Sequence, residues 1–258
     1  MSYKILLCDL GGTFVDVNKR TYAIQELGID TIILNGLTNY LNFNPQQKMF
    51  AALQKIDHGD SKESITHGTA KLPKIYCDWM AGKHSNPTAA RAFILEQIDE
   101  LYHQHFFATS FEYKVIRNAI QAMFTPEKLI KHQYAIEPMM QLLERIDLQE
   151  NTIVIVSNWD QHSYKLFLES KIGKRFCKLV KKEHMIVSGY IGFNKPQPEF
   201  YNQVFQKFGT PEQTEYFFID NEPVNIEAAQ RYNIPSLLYT GDHRAIEKAF
   251  INRKILKN

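Results

Sequence analysis

Three short apolar runs in this chain each lead into a polar residue. Ile5-Leu6-Leu7-Cys8 runs into Asp9, Thr152 to Val156 into Ser157, and Glu215 to Ile219 into Asp220. Runs this short, rich in β-branched or aromatic residues and closed by turn formers such as Gly11-Gly12, predict strands buried on both faces. Such strands belong to parallel sheets, whose ligands bind beyond the carboxyl ends of the strands. A carboxylate delivered to that edge is unfavourable unless it is paired with a cation or used chemically. The plain alternative for Asp9 is a turn residue that caps nearby amides.

From Thr152 onward the pattern alternates. A helix carrying Tyr164, Leu166, Phe167 and Leu168 follows the second run, and Met185 to Val187 reads as a short strand in an otherwise irregular stretch. Lys195-Pro196-Gln197-Pro198 opens a helix with Phe200, Tyr201, Val204 and Phe205, Pro223 to Arg231 is helical, and Pro235 to Tyr239 is a last strand. Between the first strand and Thr152 the chain is helical in character. Pro45 opens a helix with Met49, Phe50, Leu53 and Ile56 at helical spacing, and Asp57-His58-Gly59-Asp60 reads as a loop. Ser85-Asn86-Pro87 opens another helix, with an expected apolar stripe of Ala92, Leu95, Ile98, Leu101 and Tyr102. Two more helices are expected over 111–124 and 137–146. Strand–helix alternation with right-handed crossovers predicts an α/β fold: a Rossmann-like parallel sheet with helices on both faces, formed by residues 1–17 and 135–258. Residues 18–134 form a helical insert.

Composition excludes several classes. A net charge of +2 leaves no electrostatic footprint for nucleic acid. The basic clusters at Lys181-Lys182 and at the tail from Arg253 to Lys257 read as solvated surface. No apolar stretch has the length of a membrane span or a signal peptide. Cys8, Cys77 and Cys177 lie far apart with no CxxC pair, which argues against a zinc ribbon or a disulfide framework and fits a reducing cytoplasm. The expected partner is a small molecule, not nucleic acid or membrane.

If the strands are parallel neighbours, Asp9, Ser157 and Asp220 meet at one edge, and Lys195 joins them from a loop before a helix. That set suits phosphoryl transfer. One carboxylate attacks and forms a covalent intermediate, a second helps hold Mg²⁺, which prefers oxygen ligands, and the hydroxyl and ammonium bind phosphoryl oxygens.

These residues sit in four segments that resemble, in order, the motifs of the haloacid dehalogenase-like hydrolases. They are Asp9-Leu10-Gly11-Gly12-Thr13, the run into Ser157-Asn158, Gly192-Phe193-Asn194-Lys195-Pro196, and Ile219-Asp220-Asn221 leading to Asn225. The resemblance implies a nucleophilic Asp9, a catalytic Lys195, and substrate contacts from Ser157, Asn158 (through its backbone amide) and Thr13. It implies Mg²⁺ held by Asp9, the Gly11 carbonyl and Asp220. The long interval between the first two motifs resembles members with a C1-type helical cap inserted there. The forms of the motifs most resemble the branch of sugar-1-phosphate phosphatases and epoxide hydrolase N-terminal domains. The implied function is a Mg²⁺-dependent phosphatase acting on a small phosphorylated metabolite through an aspartyl-phosphate.

Two positions depart from the family pattern. Gly11 stands where its phosphatases usually carry an aspartate that serves as general acid and base, so expulsion of a basic leaving group is expected to slow. Asn221 stands where many members have a second acid, which predicts a weakened Mg²⁺ site. Both departures favour the alternative of a catalytically impaired binding or regulatory protein. A dehalogenase is disfavoured, because the family's dehalogenases usually carry tyrosine at the position of Gly11. Asp16 reads as a turn residue, Asp160 as a helix N-cap, and Asn225 as support for the loop around Asp220. Glu222 is either a substitute acid or solvated surface. His103 and His105, two apart, do not share a helix face and make no metal pair. Tyr76, Trp79 and Met80 read as an apolar helix face, and Arg91 as a candidate substrate contact from the insert.

Overall fold

The computed structural model describes residues 4–27, 45–56, 65–67, 70–84 and 86–257. Five strands form the central sheet: β1 (Lys4–Cys8), β2 (Asn151–Ser157), β3 (Met185–Val187), β4 (Glu215–Asp220) and β5 (Ser236–Leu238). Every neighbouring pair is parallel, and the spatial order is β3-β2-β1-β4-β5. The chain builds outward on one side of β1, then crosses back to build on the other. The order therefore reverses between β1 and β4, the switch point at which an open α/β sheet leaves a crevice beyond its carboxyl edge.

The period-two alternation of a strand explains why the runs are apolar throughout. Ile5 and Leu7 share one face with Val154, Val156, Tyr216 and Phe218. That face packs against Phe200, Tyr201 and Val204 of helix Pro198–Phe208 and against Ile226, Ala228 and Ala229 of helix Pro223–Arg231. Leu6, Cys8, Ile153, Ile155, Phe217 and Ile219 alternate with them and are buried too. On their side Phe217 meets Phe250 of helix His243–Asn252 edge to face, with ring centroids 6.3 Å apart. The Rossmann-like sheet with flanking helices is as expected, and the described residues between β1 and β2 are largely helical.

The chain divides into two compact units. The first comprises Met1–Asp16, Met80–Gly82 and Tyr134–Asn258, and the second comprises Val17–Trp79 and Lys83–Gln133. In the second unit Asn86 caps helix Pro87–His103 by accepting the Ala89 N–H at 3.0 Å, with Pro87 in the first turn. The face this helix buries is Ile94, Ile98 and Leu101, whereas Ala92, expected in the stripe, is exposed. Tyr76 and Trp79 pack edge-on against Phe124, at 6.1 Å and 5.0 Å. Arg91 donates to the Thr125 hydroxyl at 3.2 Å. The loop expected at Asp57 to Asp60 lies outside the described residues. Short pieces absent from the sequence reading are helices Lys171–Phe176 and Ser188–Ile191 and the final helix His243–Asn252. No helix among the described residues is long and apolar enough to cross a membrane.

Candidate active site

Sheet register brings the first two carboxylates together. Cys8 pairs with Ile219, so the next residues, Asp9 and Asp220, emerge side by side where β1 and β4 end. The Asp9 N–H still donates to the Ile219 carbonyl, at 2.9 Å. Beyond β1 the chain turns at once: Phe14 and Val15 both donate to the Leu10 carbonyl at 3.0 Å, and Gly12 adopts φ +79°. The turn carries the Thr13 hydroxyl back to Asp9 Oδ2, to which it donates at 3.1 Å. A side chain on Gly12 would overlap the Asn221 amide, since its Cβ would lie 2.5 Å from Asn221 Nδ2.

Lys195 is the centre of the arrangement. Its ammonium donates to Asp9 Oδ1 and to Asp220 Oδ2, each at 2.7 Å, and all three side chains are buried. Asp220 receives further donors. The Glu222 N–H reaches Oδ1 at 2.8 Å, and Asn225 Nδ2 reaches both oxygens at 3.1 Å. Two carboxylates share one ammonium, so the fully ionised trio carries one excess negative charge. Burial pushes the Asp9 carboxyl up to about 7; the charge of Asp220 adds to the rise, while Lys195 and the Thr13 hydroxyl oppose it. Burial acts to lower the Lys195 ammonium, but the two carboxylates overcome it and hold the group above its ordinary range.

The second strand supplies donors. Ser157 ends β2, and neither its hydroxyl nor the N–H of Asn158 has a hydrogen-bond partner among the described residues. The Asn158 side chain does something the sequence did not disclose. Its Nδ2 donates to the Lys195 carbonyl at 2.8 Å, and its Oδ1 accepts the Lys195 N–H at 2.7 Å, so one amide holds both backbone groups of the lysine. The loop beyond is fixed in turn. Ser188, fully buried, accepts the Trp159 N–H at 2.7 Å and donates to the Met80 carbonyl at 2.8 Å. Asp160 caps helix Gln161–Glu169 by accepting the Ser163 N–H at 2.9 Å. No sequence signal marks Ser188, because its partners are distant in the chain.

Other candidates lie in different surroundings. The Tyr134 hydroxyl donates to Asp16 at 3.4 Å, and Glu222 accepts from the Asn221 amide at 3.4 Å. Gly11 is exposed, and no described atom lies within 4 Å of the point its Cβ would occupy. No group of three or more His, Cys, Asp or Glu side chains that could hold a metal occurs among the described residues. The oxygen donors at the edge are the carboxylates of Asp9 and Asp220 and the Gly11 carbonyl. That set fits Mg²⁺, which retains several waters and completes its shell with substrate phosphate oxygens. The fit is spare, because Asp220 Oδ1 already accepts two hydrogen bonds.

A family model described as haloacid dehalogenase-like hydrolase matches residues 60–239, a span that includes Ser157, Lys195 and Asp220 but not Asp9. Among curated proteins, none matches the chain in sequence. Solved structures share the fold. A HAD family enzyme from Bacteroides thetaiotaomicron is 17% identical with a TM-score of 0.57, the match covering 94% of this chain and 96% of that one. The same enzyme solved in complex with magnesium and inorganic phosphate gives 16% identity and a TM-score of 0.52, covering 93% and 96%. A HAD-like family hydrolase from Porphyromonas gingivalis gives 16% identity and a TM-score of 0.53 over 100% of both chains.

Proposed function

The chain belongs to the haloacid dehalogenase-like hydrolases, and from that premise we propose that it is a Mg²⁺-dependent phosphatase that hydrolyses a small phosphorylated metabolite through an aspartyl-phosphate on Asp9. The observation that carries the reading is the Lys195 ammonium, placed 2.7 Å from a carboxylate oxygen of both Asp9 and Asp220. A cation buried between two acids at a switch point suits a reaction that gathers negative charge there. The Bacteroides thetaiotaomicron enzyme of the same fold, solved with magnesium and inorganic phosphate, supports the choice of ligand.

In this reading Asp9 attacks phosphorus, and Thr13 orients its carboxylate through Oδ2. The Ser157 hydroxyl and the Asn158 N–H bind phosphoryl oxygens, and Lys195 offsets their charge while keeping Asp9 and Asp220 at a fixed separation. Asp9, Asp220 and the Gly11 carbonyl would hold Mg²⁺, which supplies further charge neutralisation on the phosphoryl group when bound. Asn225 and the Glu222 N–H keep Asp220 oriented for that duty. Water then hydrolyses the aspartyl-phosphate and regenerates Asp9.

The test is turnover of a panel of phosphate esters with and without Mg²⁺, in the wild type and in Asp9→Asn. Metal-dependent phosphate release that falls at least about 10³-fold in Asp9→Asn is expected. Equal activity in Asp9→Asn would remove the nucleophile from the scheme. Phosphate binding without turnover on any ester would favour the binding-protein alternative.

A further inference from the structure

The site holds a nucleophile and a charge-offsetting cation, but Gly11 places no acid two residues beyond Asp9, and the two side chains hydrogen-bonded to Asp9, Thr13 and Lys195, are engaged in holding it. Gly11 has no side chain, and the space where one would stand is open. The Lys195 ammonium is buried and directed to two carboxylates. The Thr13 hydroxyl is spent on Asp9, and Asp160 is engaged in capping a helix. The Ser157 hydroxyl is no better a proton donor than water. This matters unequally for the two half-reactions. The second expels the carboxylate of Asp9, a weak base that leaves without help. Only the first can require an acid, and whether it does depends on the substrate.

We propose that the site takes phosphates whose leaving oxygen is about as weakly basic as a carboxylate, acyl phosphates foremost, and that alkyl phosphomonoesters are poor substrates. The inference rests on the aspartyl-phosphate reading above. In the first step an Asp9 oxygen forms a bond to phosphorus as the bond from phosphorus to the acyl oxygen breaks. The electron pair departs with that oxygen, and the product leaves as a free carboxylate with no proton transferred. One mixed anhydride is exchanged for another, so the step is close to balanced in free energy. In the second step water attacks phosphorus, the bond to Asp9 breaks with its electron pair, Asp9 returns as a carboxylate, and both protons of the water stay on the released phosphate, which passes one to solvent at neutral pH.

The experiment measures kcat/KM for acetyl phosphate, p-nitrophenyl phosphate, phenyl phosphate and glycerol phosphate, in the wild type and in Gly11→Asp. Position 11 accepts a side chain without a clash and, unlike Gly12, does not adopt a positive φ. In the wild type kcat/KM is expected to fall steeply along the series, glycerol phosphate lying at least about a hundredfold below acetyl phosphate. Gly11→Asp is expected to narrow that spread by about 10²-fold or more, the contribution of a positioned general acid. A flat series in the wild type would overturn the inference and leave the phosphatase reading standing, since a proton must then come from elsewhere. An unchanged spread in folded, active Gly11→Asp would overturn it as well. Failure to turn over any member, acetyl phosphate included, would defeat the phosphatase reading and the inference with it. If Gly11→Asp does not fold, the wild-type series decides alone.

Discussion

Three buried charged groups at one sheet edge are costly to fold around, since two carboxylates share one ammonium. The carboxyl of Asp9 is raised to about 7 in the folded chain, chiefly by burial, against about 3.9 for an unfolded aspartate. Between those values the unfolded chain has released its proton while the native one still holds it. Rising pH therefore destabilises the native state relative to a neutral side chain at position 9, up to about pH 7, and no further beyond it. With metal chelated, the gain in Tm of Asp9→Asn over the wild type is expected to be larger at pH 8 than at pH 5, as read by calorimetry. A gain that is constant or shrinks with pH would show that Asp9 is not the group carrying the excess charge. Asn158 gives a second expectation at this scale. Its amide grips both backbone groups of Lys195, so removing it should shift the ammonium and leave the Ser157 hydroxyl and the backbone donors in place. Asn158→Ala is expected to lower kcat about 10- to 100-fold with little change in KM, since a misplacement of about 1 Å has that effect. A rise in KM at unchanged kcat would instead make the side chain a substrate ligand.

Elements are where the sequence was partly legible. The strands could be read because each is an uninterrupted apolar run ended by a polar residue, and burial on both faces demands that pattern. Their polar ends could be placed together because a parallel sheet presents all of them along one edge. Helix Lys171–Phe176 and helix Ser188–Ile191 were not, being too short to show a period of 3.6. The buried stripe of Pro87–His103 was misread because the helix has apolar residues on more than one face; Phe93 is 46% exposed. Contacts such as those of Asn158 with Lys195 and of Ser188 with Trp159 arise between residues far apart in the chain, which no local pattern encodes. They nevertheless hold the loop that follows Ser157. A Cβ on Gly189 would lie 2.6 Å from the Gln161 nitrogen and 2.8 Å from the Trp159 carbonyl oxygen, both backbone atoms that cannot swing aside. Gly189→Ala is expected to destabilise the chain by about 1–3 kcal/mol and to lower kcat with it, because the displaced loop starts with Asn158, directly after Ser157. Asp160→Ala, which removes only the cap of helix Gln161–Glu169, should lower stability by about 1 kcal/mol in urea titration. Equal stability of Gly189→Ala and wild type would mean the loop is free to yield.

At the scale of the whole molecule, the three cysteines report on different depths. Cys177 is exposed, while Cys8 and Cys77 are buried. Cys8 lies on β1, flanked by β2 and β4, with no exposure at all, and burial together with the neighbouring Asp9 charge pushes its thiol well above the ordinary range. Only a thiolate reacts readily, so Cys8 is protected twice, by access and by ionisation. Cys77 belongs to the second unit, lies in the seven-residue helix Lys74–Met80 and is 7% exposed. A central parallel strand opens only when the sheet comes apart, whereas a short helix can open by a smaller, local event. Labelling of the native protein with a thiol reagent, read by peptide mass spectrometry, is therefore expected to modify Cys177 at once, Cys77 more slowly and Cys8 slowest. Mild urea separates the last two if the units open independently, because the opening that exposes Cys77 then uncovers less surface and has the weaker urea dependence. Cys8 and Cys77 labelling at one rate with one urea dependence would mean that the helical unit opens only when the sheet does, and that the insert depends on the core for its stability.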